Sequence, residues 1–97
     1  MTIDKKMEDS TLTVYVSGKL NTVTSPQFAD ALSNLDGITD LILDFTNLEQ
    51  ISSAGLRVLL DVQCDMSEQG RMIVRNVNDV VKDVFLLTGF MKFLTIE

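Results

Sequence analysis

The chain is short of the side chains on which most enzymes depend. It has no histidine, no tryptophan and a single cysteine among 97 residues. Histidine and cysteine supply many of the general bases, nucleophiles and transition-metal ligands of proteins, so the usual acid–base, nucleophilic and metal chemistries lack their groups here. Neither a phosphate loop of the Gly-x4-Gly-Lys type nor a spacing typical of metal ligands is visible. The sequence therefore predicts a protein that is not an enzyme and needs no metal or other cofactor.

Positive charge and long apolar runs are also scarce. Eight lysines and arginines face 14 acidic residues, a net charge of −6, and the basic residues are scattered. Nucleic-acid binding depends on clustered positive charge, so it is not expected. No apolar run approaches the roughly 20 residues that cross a bilayer, and the N-terminus lacks a signal-peptide core. The lone Cys64, expected in the core, cannot form an internal disulfide, which favours a reducing, cytoplasmic location without membrane attachment.

The residues that are present suit one small domain spanning 1–97. A hydrophobic content of 45% is enough for a single core. Alternating apolar residues predict a half-buried strand over Thr11–Lys19, paired with a weaker strand over Thr2–Met7. Leu41–Phe45 is almost wholly apolar, which is typical of an interior strand covered on both faces. Further short strands are predicted over Met72–Arg75 and Leu94–Ile96.

Three helices alternate with these strands. Ser25 is the predicted cap of the first helix, with Pro26 at its first position and an apolar stripe formed by Phe28, Ala31, Leu32 and Leu35. The second runs from about Ser53 to Glu68. Asn78 caps the third, which ends at Gly89. The order β-β-α-β-α-β-α-β predicts an α/β fold with a small mixed, mainly parallel sheet covered by helices. Asp40 and Asp44 are expected to be solvated strand ends.

The start of the second helix is the most informative segment. Two hydroxyls, Ser52 and Ser53, precede Gly55 directly after a buried strand. Both serines have a simpler interpretation as caps that satisfy free N–H groups. Gly55 costs about 1 kcal/mol relative to alanine inside a helix, and a cap does not require it, although it also suits close packing of helix on sheet. An exposed serine at the positive end of a helix suits phosphate chemistry.

A second loop is expected beside this helix start. Asn21 and Thr22 follow the strand Thr11–Lys19, and the carboxyl ends of parallel strands meet at one edge of a sheet. These two residues have an equally good interpretation as turn residues only. The sequence thus predicts one surface that combines the loop after the second strand with the start of the second helix.

Four segments resemble the STAS domain and, more narrowly, the bacterial anti-sigma factor antagonists. They are Val16–Asn21, Thr24–Pro26, Leu41–Phe45 and Ile51–Leu56. The family's motif around its regulated serine reads approximately Asp-Ser-[Ser/Thr/Ala]-Gly-Leu. Laid on this sequence, the motif places Ser53 at the phosphorylated position and gives the matching positions Ala54, Gly55 and Leu56.

The resemblance implies partner switching. The unphosphorylated protein binds an anti-sigma factor that is also a serine kinase and so releases a sigma factor. Phosphorylation of the serine breaks the complex, and a metal-dependent serine phosphatase restores it. The implied partner-binding residues are Asn21, Thr22, Ser52, Ser53, Ala54, Gly55, Leu56 and Arg57. Relatives of this fold also act as scaffolds, nucleotide sensors or subunits of transport assemblies, without such a switch, and these alternatives stay open.

Three departures from the family pattern bear on this interpretation. Asn21 and Ser52 stand where many relatives have acidic residues, so the charge near the site is lower. Ser52 is also a second candidate acceptor. No C-terminal helix follows the last predicted strand, which either exposes Phe90, Met91 and Phe93 or marks a shorter subclass. Independently of the resemblance, the Phe90–Phe93 segment is expected to plug the core.

Overall fold

The computed structural model describes residues 1–97 as a five-stranded sheet with three α-helices. The elements, in chain order, are β1 (Thr2–Glu8), β2 (Thr11–Leu20), α1 (Ser25–Ala31), β3 (Asp40–Ile51), α2 (Ser53–Ser67), β4 (Arg71–Arg75), α3 (Asp79–Thr88), a 3-10 turn (Phe90–Lys92) and β5 (Thr95–Ile96). This is the predicted order of strands and helices, and it confirms the predicted fold class.

The strands lie in the sheet in the order β1-β2-β3-β4-β5. β1 and β2 form an antiparallel hairpin, whereas β2, β3, β4 and β5 pair in parallel. Each parallel connection passes through a helix. Because β2, β3 and β4 run in the same direction, their carboxyl ends share one edge of the sheet. That edge holds the loops on which the predicted site depends.

β3 is longer than the sequence indicates. The apolar segment Leu41–Phe45 is only its first half, and pairing with β2 continues to Ile51. The polar residues of the second half hide this extension from a hydrophobicity pattern. The register shifts between Tyr15 and Ser17 and again between Gly18 and Lys19. These irregularities break the strict alternation of buried and exposed residues that would have predicted the longer strand.

The hydrophobic core lies on one face of the sheet. Alternate strand residues such as Val14, Leu43 and Val74 pack there with helix residues such as Leu59 and Phe85. Successive strand residues point to opposite faces, so the residues between them form the other face. That face includes the exposed Tyr15 and many polar residues. The prediction that the strand over 41–45 is covered on both faces is therefore wrong: the helices cover one face only.

Asp44 lies on the uncovered face and is nevertheless buried. Its side chain accepts four hydrogen bonds: from the backbone N–H and the hydroxyl of Thr46 at 2.9 and 2.5 Å, from Arg75 at 3.2 Å and from Asn76 at 3.1 Å. Only 6% of the residue is exposed. The prediction that Asp44 is a solvated strand end is wrong, because these bonds enclose the carboxylate and two of the four come from residues about 30 positions away. Asp40 is half-buried.

The helix ends follow the predicted residues in part. Asn78 caps α3, because its Oδ1 accepts a hydrogen bond from the Val81 N–H at 2.9 Å. Gly89 ends α3 with a left-handed φ of 80°. Ser25, predicted to cap α1, is instead its first helical residue, and its hydroxyl donates to the Asn21 carbonyl oxygen at 2.6 Å. Thr24 occupies the cap position.

Two further core predictions need correction. Cys64 is exposed on α2, although an apolar helix pattern surrounds it. In the Phe90–Phe93 segment, Phe90 and Met91 are half-buried against the core, whereas Phe93 is exposed. The segment therefore plugs the core only in part. No helix combines the length and apolarity that crossing a membrane requires, and no cluster of three or more candidate metal ligands is present.

Candidate functional site

The junction between β3 and α2 separates the two candidate serines. Ser52 lies before the helix in an extended conformation, and its hydroxyl oxygen is buried without a hydrogen-bond partner. Ser53 is the first helical residue and is exposed. The two neighbouring hydroxyls therefore differ in accessibility, and only that of Ser53 belongs to an exposed residue.

The simpler interpretation of these serines as caps fails. Ser52 occupies the cap position of α2 but makes no side-chain capping bond. The first helical N–H with a backbone partner belongs to Leu56, which donates to the Ser52 carbonyl oxygen at 3.0 Å. The N–H groups of Ser53, Ala54 and Gly55 precede it and have no side-chain acceptor, as expected of an uncapped helix start. The electropositive end of α2 is thus open beside Ser53.

Gly55 allows α2 to approach the end of β2. A β-carbon at this position would lie 2.6 Å from Leu20 Cγ and 2.9 Å from Ile51 Cγ1. The backbone N–H of Ser52 also donates to the Leu20 carbonyl oxygen at 2.8 Å. The glycine is therefore a packing contact, as the alternative interpretation proposed, and it joins the start of α2 to the loop that follows β2.

The loop after β2 is organised by Asn21. Its Oδ1 accepts hydrogen bonds from the N–H groups of Val23 at 3.0 Å and Thr24 at 3.1 Å. The Thr24 hydroxyl in turn donates to the Lys19 carbonyl oxygen at 2.7 Å and accepts from the Asn21 N–H at 2.9 Å. The Asn21 side chain thus holds the turn itself, and Thr22 and Val23 are the exposed residues of the loop.

The structure brings the predicted site residues to one edge but does not expose all of them. Ser53, Thr22 and Arg57 are exposed, whereas Asn21, Ser52 and Ala54 are half-buried. Gly55 and Leu56 are buried, and the Leu56 side chain packs in the hydrophobic core.

Arg57 and Val23 complete the exposed part of this edge. Arg57 pairs with Asp61 one turn along α2, Nε to Oδ1 at 3.4 Å, and an exposed pair of this kind contributes little to stability. Val23 is 85% exposed and is not among the site residues predicted from the sequence. A lone apolar residue in a polar loop gives no periodic signal, and its exposure follows from the Asn21 turn. We name the exposed residues Thr22, Val23, Ser53 and Arg57 the carboxyl-edge surface.

The fold and the site together define a small α/β domain with an exposed hydroxyl at a helix start. The STAS domain model matches residues 2–97, and the chain belongs to the STAS domain family. Among individual proteins it is similar to BtrV of Bordetella bronchiseptica, which is named as an anti-sigma factor antagonist. The two are 31% identical over 99% of this chain and 84% of BtrV.

Solved structures of other antagonists share the fold. An anti-sigma factor antagonist from Mycobacterium paratuberculosis superposes with a TM-score of 0.89 at 24% identity, covering 98% of this chain and 83% of that one. The antagonist SpoIIAA in its unphosphorylated form gives 0.84 at 21% identity, covering 99% and 88%. The phosphorylated form of SpoIIAA, a Bacillus cell fate determinant, gives 0.76 at 20% identity, covering 99% and 91%.

These relatives carry the names of regulatory proteins. The curated relative and the Mycobacterium and SpoIIAA structures are all named as antagonists of anti-sigma factors. The prediction that the chain is not an enzyme is confirmed by this relationship, as is the resemblance drawn from the four sequence segments.

Proposed function

We propose that this protein is an anti-sigma factor antagonist whose binding is switched by phosphorylation of Ser53. The observation that carries the proposal is the exposed Ser53 at the uncapped start of α2. The family relationship supports the class of partner, because the 31% identical relative BtrV is named as an antagonist of an anti-sigma factor. The existence of a phosphorylated form of SpoIIAA supports the kind of switch.

The burial of the neighbouring hydroxyl supports Ser53 over Ser52 as the acceptor. The Ser52 Oγ is buried, and a kinase must bring the nucleotide's terminal phosphorus into line with the attacking oxygen. Ser52 can reach that geometry only if its side chain or the start of α2 first moves. Ser53 needs no such opening.

A phosphate on Ser53 suits the helix start on which it is placed. It adds a charge of about −1.5 to −2 and three acceptor oxygens. The free N–H groups and the dipole of α2 favour negative charge at this position, so the fold is expected to accept the phosphate without melting. The switch then acts at the surface, where the new charge and bulk oppose the partner. Opposed like charges cost several kcal/mol at an interface, and about 2.7 kcal/mol corresponds to a hundredfold loss of affinity.

The proposed partners follow from this switch. The unphosphorylated carboxyl-edge surface binds an anti-sigma factor that is itself a serine kinase, which frees a sigma factor. The kinase transfers the terminal phosphoryl group of a nucleotide to the Ser53 hydroxyl, and the complex then dissociates. A metal-dependent serine phosphatase hydrolyses the phosphoserine and restores binding.

The test uses the purified chain with the anti-sigma kinases encoded in the same genome. Wild type is mixed with each kinase and nucleotide, and the mass of the intact chain is measured over time, together with binding by titration calorimetry. We expect one phosphoryl group per chain on wild type and on Ser52→Ala, and none on Ser53→Ala. We expect Ser53→Ala to stay bound to the kinase in the presence of nucleotide, and Ser53→Asp to bind weakly although it folds.

Two results would contradict the proposal in different ways. Phosphorylation of Ser53→Ala at the wild-type rate would make Ser52 the acceptor. Stable binding of a kinase to wild type with no phosphoryl transfer would make the protein a scaffold without a switch, one of the alternatives drawn from the sequence.

A further inference from the structure

The two outermost strands of the sheet, which form its lateral edges, are very different. β5 forms one lateral edge and has only two residues, Thr95–Ile96. β1 forms the other edge with seven residues, Thr2–Glu8, and pairs with β2 alone. Its outer side therefore presents unpaired backbone N–H and C=O groups along its length, and such an edge is a template for pairing with another strand.

We propose that β1 pairs antiparallel with β1 of a second copy of this chain, centred on Lys5, to give a continuous ten-stranded sheet about a two-fold axis. The occupant of the edge is thus an identical strand. This inference is independent of the proposed function. It concerns the outermost strand β1 and not the carboxyl-edge surface.

The geometry of antiparallel strands limits the possible registers. Directly opposed residues in an antiparallel pair lie on the same face of the sheet. The residues Ile3, Lys5 and Met7 lie on the helix-covered face, because they pair with the core residues Val16, Val14 and Leu12. In a symmetric dimer they must therefore meet one another, and the two-fold axis must pass through a residue and not between two residues.

Charge complementarity selects one register among these. Centring on Asp4 opposes two Asp4 carboxylates, and centring on Lys6 opposes Asp4 with Glu8 twice and Lys6 with itself. Centring on Lys5 opposes Asp4 with Lys6 twice and pairs all seven residues of β1. Its one unfavourable contact is Lys5 with Lys5, two exposed side chains whose long stems let the ammonium groups separate. Centring nearer either end pairs at most three residues.

The apolar residues of β1 favour the same register. Met7 is 53% exposed, and Ile3 is half-buried against the core. Centring on Lys5 opposes Ile3 with Met7 at two symmetric positions, next to the core of each copy. Pairing therefore removes the exposed Met7 side chain from water. The two Asp4–Lys6 ion pairs form on the opposite, uncovered face of the sheet.

The dimer leaves the carboxyl-edge surface open. Antiparallel pairing of the two β1 strands reverses the direction of every strand in the second copy. The two carboxyl edges then point in opposite directions, and each copy keeps its own Ser53 accessible. Dimer formation is therefore expected to be the same for wild type and for Ser53→Ala.

The first test is sedimentation velocity on the full chain over a concentration series. We expect a concentration-dependent rise from 10.8 kDa to twice that mass. Asp4→Lys opposes two lysine pairs and Lys6→Asp opposes two carboxylate pairs, so each is expected to weaken the dimer about tenfold. The double variant Asp4→Lys with Lys6→Asp exchanges the charges and is expected to restore it. These side chains are exposed, and circular dichroism checks that each variant is folded.

The second test examines the register directly. Lys5→Cys in a Cys64→Ser background places two cysteines opposite each other at the two-fold axis, within the Cα separation that a disulfide spans. We expect mild oxidation to link this variant into dimers much faster than the control Thr2→Cys in the same background, because residue 2 is exposed and opposes Glu8, outside the ion pairs and far from residue 2 of the second copy.

Several results would overturn the proposal. They are a monomer at every concentration, equal cross-linking of the two cysteine variants, failure of the charge exchange to restore the dimer, or loss of the dimer on Leu87→Ser, which lies on α3 far from β1.

Discussion

At residue scale, Gly55 is required by the space beside it. An added methyl group would lie 2.6 Å from Leu20 Cγ, so Gly55→Ala must displace α2 or its neighbours. Such overpacking costs about 1–3 kcal/mol, whereas alanine returns about 1 kcal/mol through helix propensity. We expect Gly55→Ala to lower the free energy of unfolding by up to about 2 kcal/mol, measured by urea denaturation.

The matched control for this substitution is Cys64→Ala in the same helix. Cys64 is exposed, so its removal leaves no cavity, and we expect a change within about 0.5 kcal/mol. Gly55→Ala should also slow phosphorylation of Ser53. Ser53 begins α2 two residues before Gly55, so a displacement of α2 moves the Ser53 hydroxyl. A stabilised Gly55→Ala variant would show that α2 does not depend on this close contact.

Asp44 is expected to make stability depend on pH in acid. Burial by itself raises the pKa of Asp44, but the hydrogen bonds from Thr46, Arg75 and Asn76 together outweigh it and lower the pKa below the ordinary 3.8. The unfolded chain then binds a proton at higher pH than the folded chain does. The contribution of the carboxylate is therefore complete above about pH 5 and is lost as the pH falls below about 4.

The comparison of wild type with Asp44→Asn measures this effect. Hydrogen bonds to a charged group contribute about 1.5–3 kcal/mol, so we expect a loss of that order at pH 7 that shrinks as the pH falls. Asp83→Asn, at an exposed position without a hydrogen-bond partner, serves as the control and should change stability little. A difference that stays constant from pH 7 to pH 3 would show that the charge of Asp44 does not contribute.

At the scale of elements, two helix starts offer a direct comparison. Asn78 caps α3 and also donates from Nδ2 to the Leu48 carbonyl oxygen at 2.7 Å. Ser52 stands at the equivalent position of α2 with its hydroxyl buried and unpaired. We expect Asn78→Ala to cost about 1–2 kcal/mol of stability. We expect Ser52→Ala to be neutral or stabilising, because it removes an unsatisfied buried oxygen.

Thermal and urea unfolding of both variants test the comparison. Circular dichroism should report a native fold for each, so that the free energies refer to the same unfolding transition. A Ser52→Ala variant that loses as much stability as Asn78→Ala would mean that the Ser52 hydroxyl caps α2 in solution.

The elements were predictable where local signals decide them. Alternation in Thr11–Lys19, the Asn78 cap and the Gly89 stop each act within a few residues, and the structure has all three. The second half of β3 was not predictable, because polar residues continue the strand only by pairing with a bulged β2. The burial of Asp44 also depends on contacts that are distant in sequence, because its donors Arg75 and Asn76 come from another part of the chain.

At the scale of the whole molecule, the fold collects residues that no local pattern links. The sequence pattern predicted that the second helix begins at about Ser53 beside the carboxyl edge, and the structure has this start. The resemblance ranked Ser53 above Ser52 as the acceptor, but it could not show that the Ser52 hydroxyl is buried, because that burial depends on how α2 packs against Leu20. The exposure of Val23 and the uncovered face of the sheet likewise depend on the assembled sheet and helices.

The last prediction separates the two ends of the molecule. Val23 lies on the carboxyl-edge surface, whereas Leu87 lies near the end of α3, which runs back from that edge to the opposite one. The two side chains are 85% and 87% exposed, so serine at either position should leave the fold unchanged. We expect Val23→Ser to weaken binding of the anti-sigma kinase about tenfold, because burying a valine side chain against a partner contributes about 1.5 kcal/mol.

Leu87→Ser should leave that affinity within about twofold of wild type. Titration calorimetry with the unphosphorylated chain measures both variants, and the rate of phosphoryl transfer to Ser53 should fall with Val23→Ser alone at limiting concentration. Equal losses for the two variants would show that binding is not confined to the carboxyl-edge surface, and a loss confined to Leu87→Ser would place the partner on α3. The loop held by Asn21 would then be a turn without a part in binding, and Ser53 would be modified from a different direction of approach.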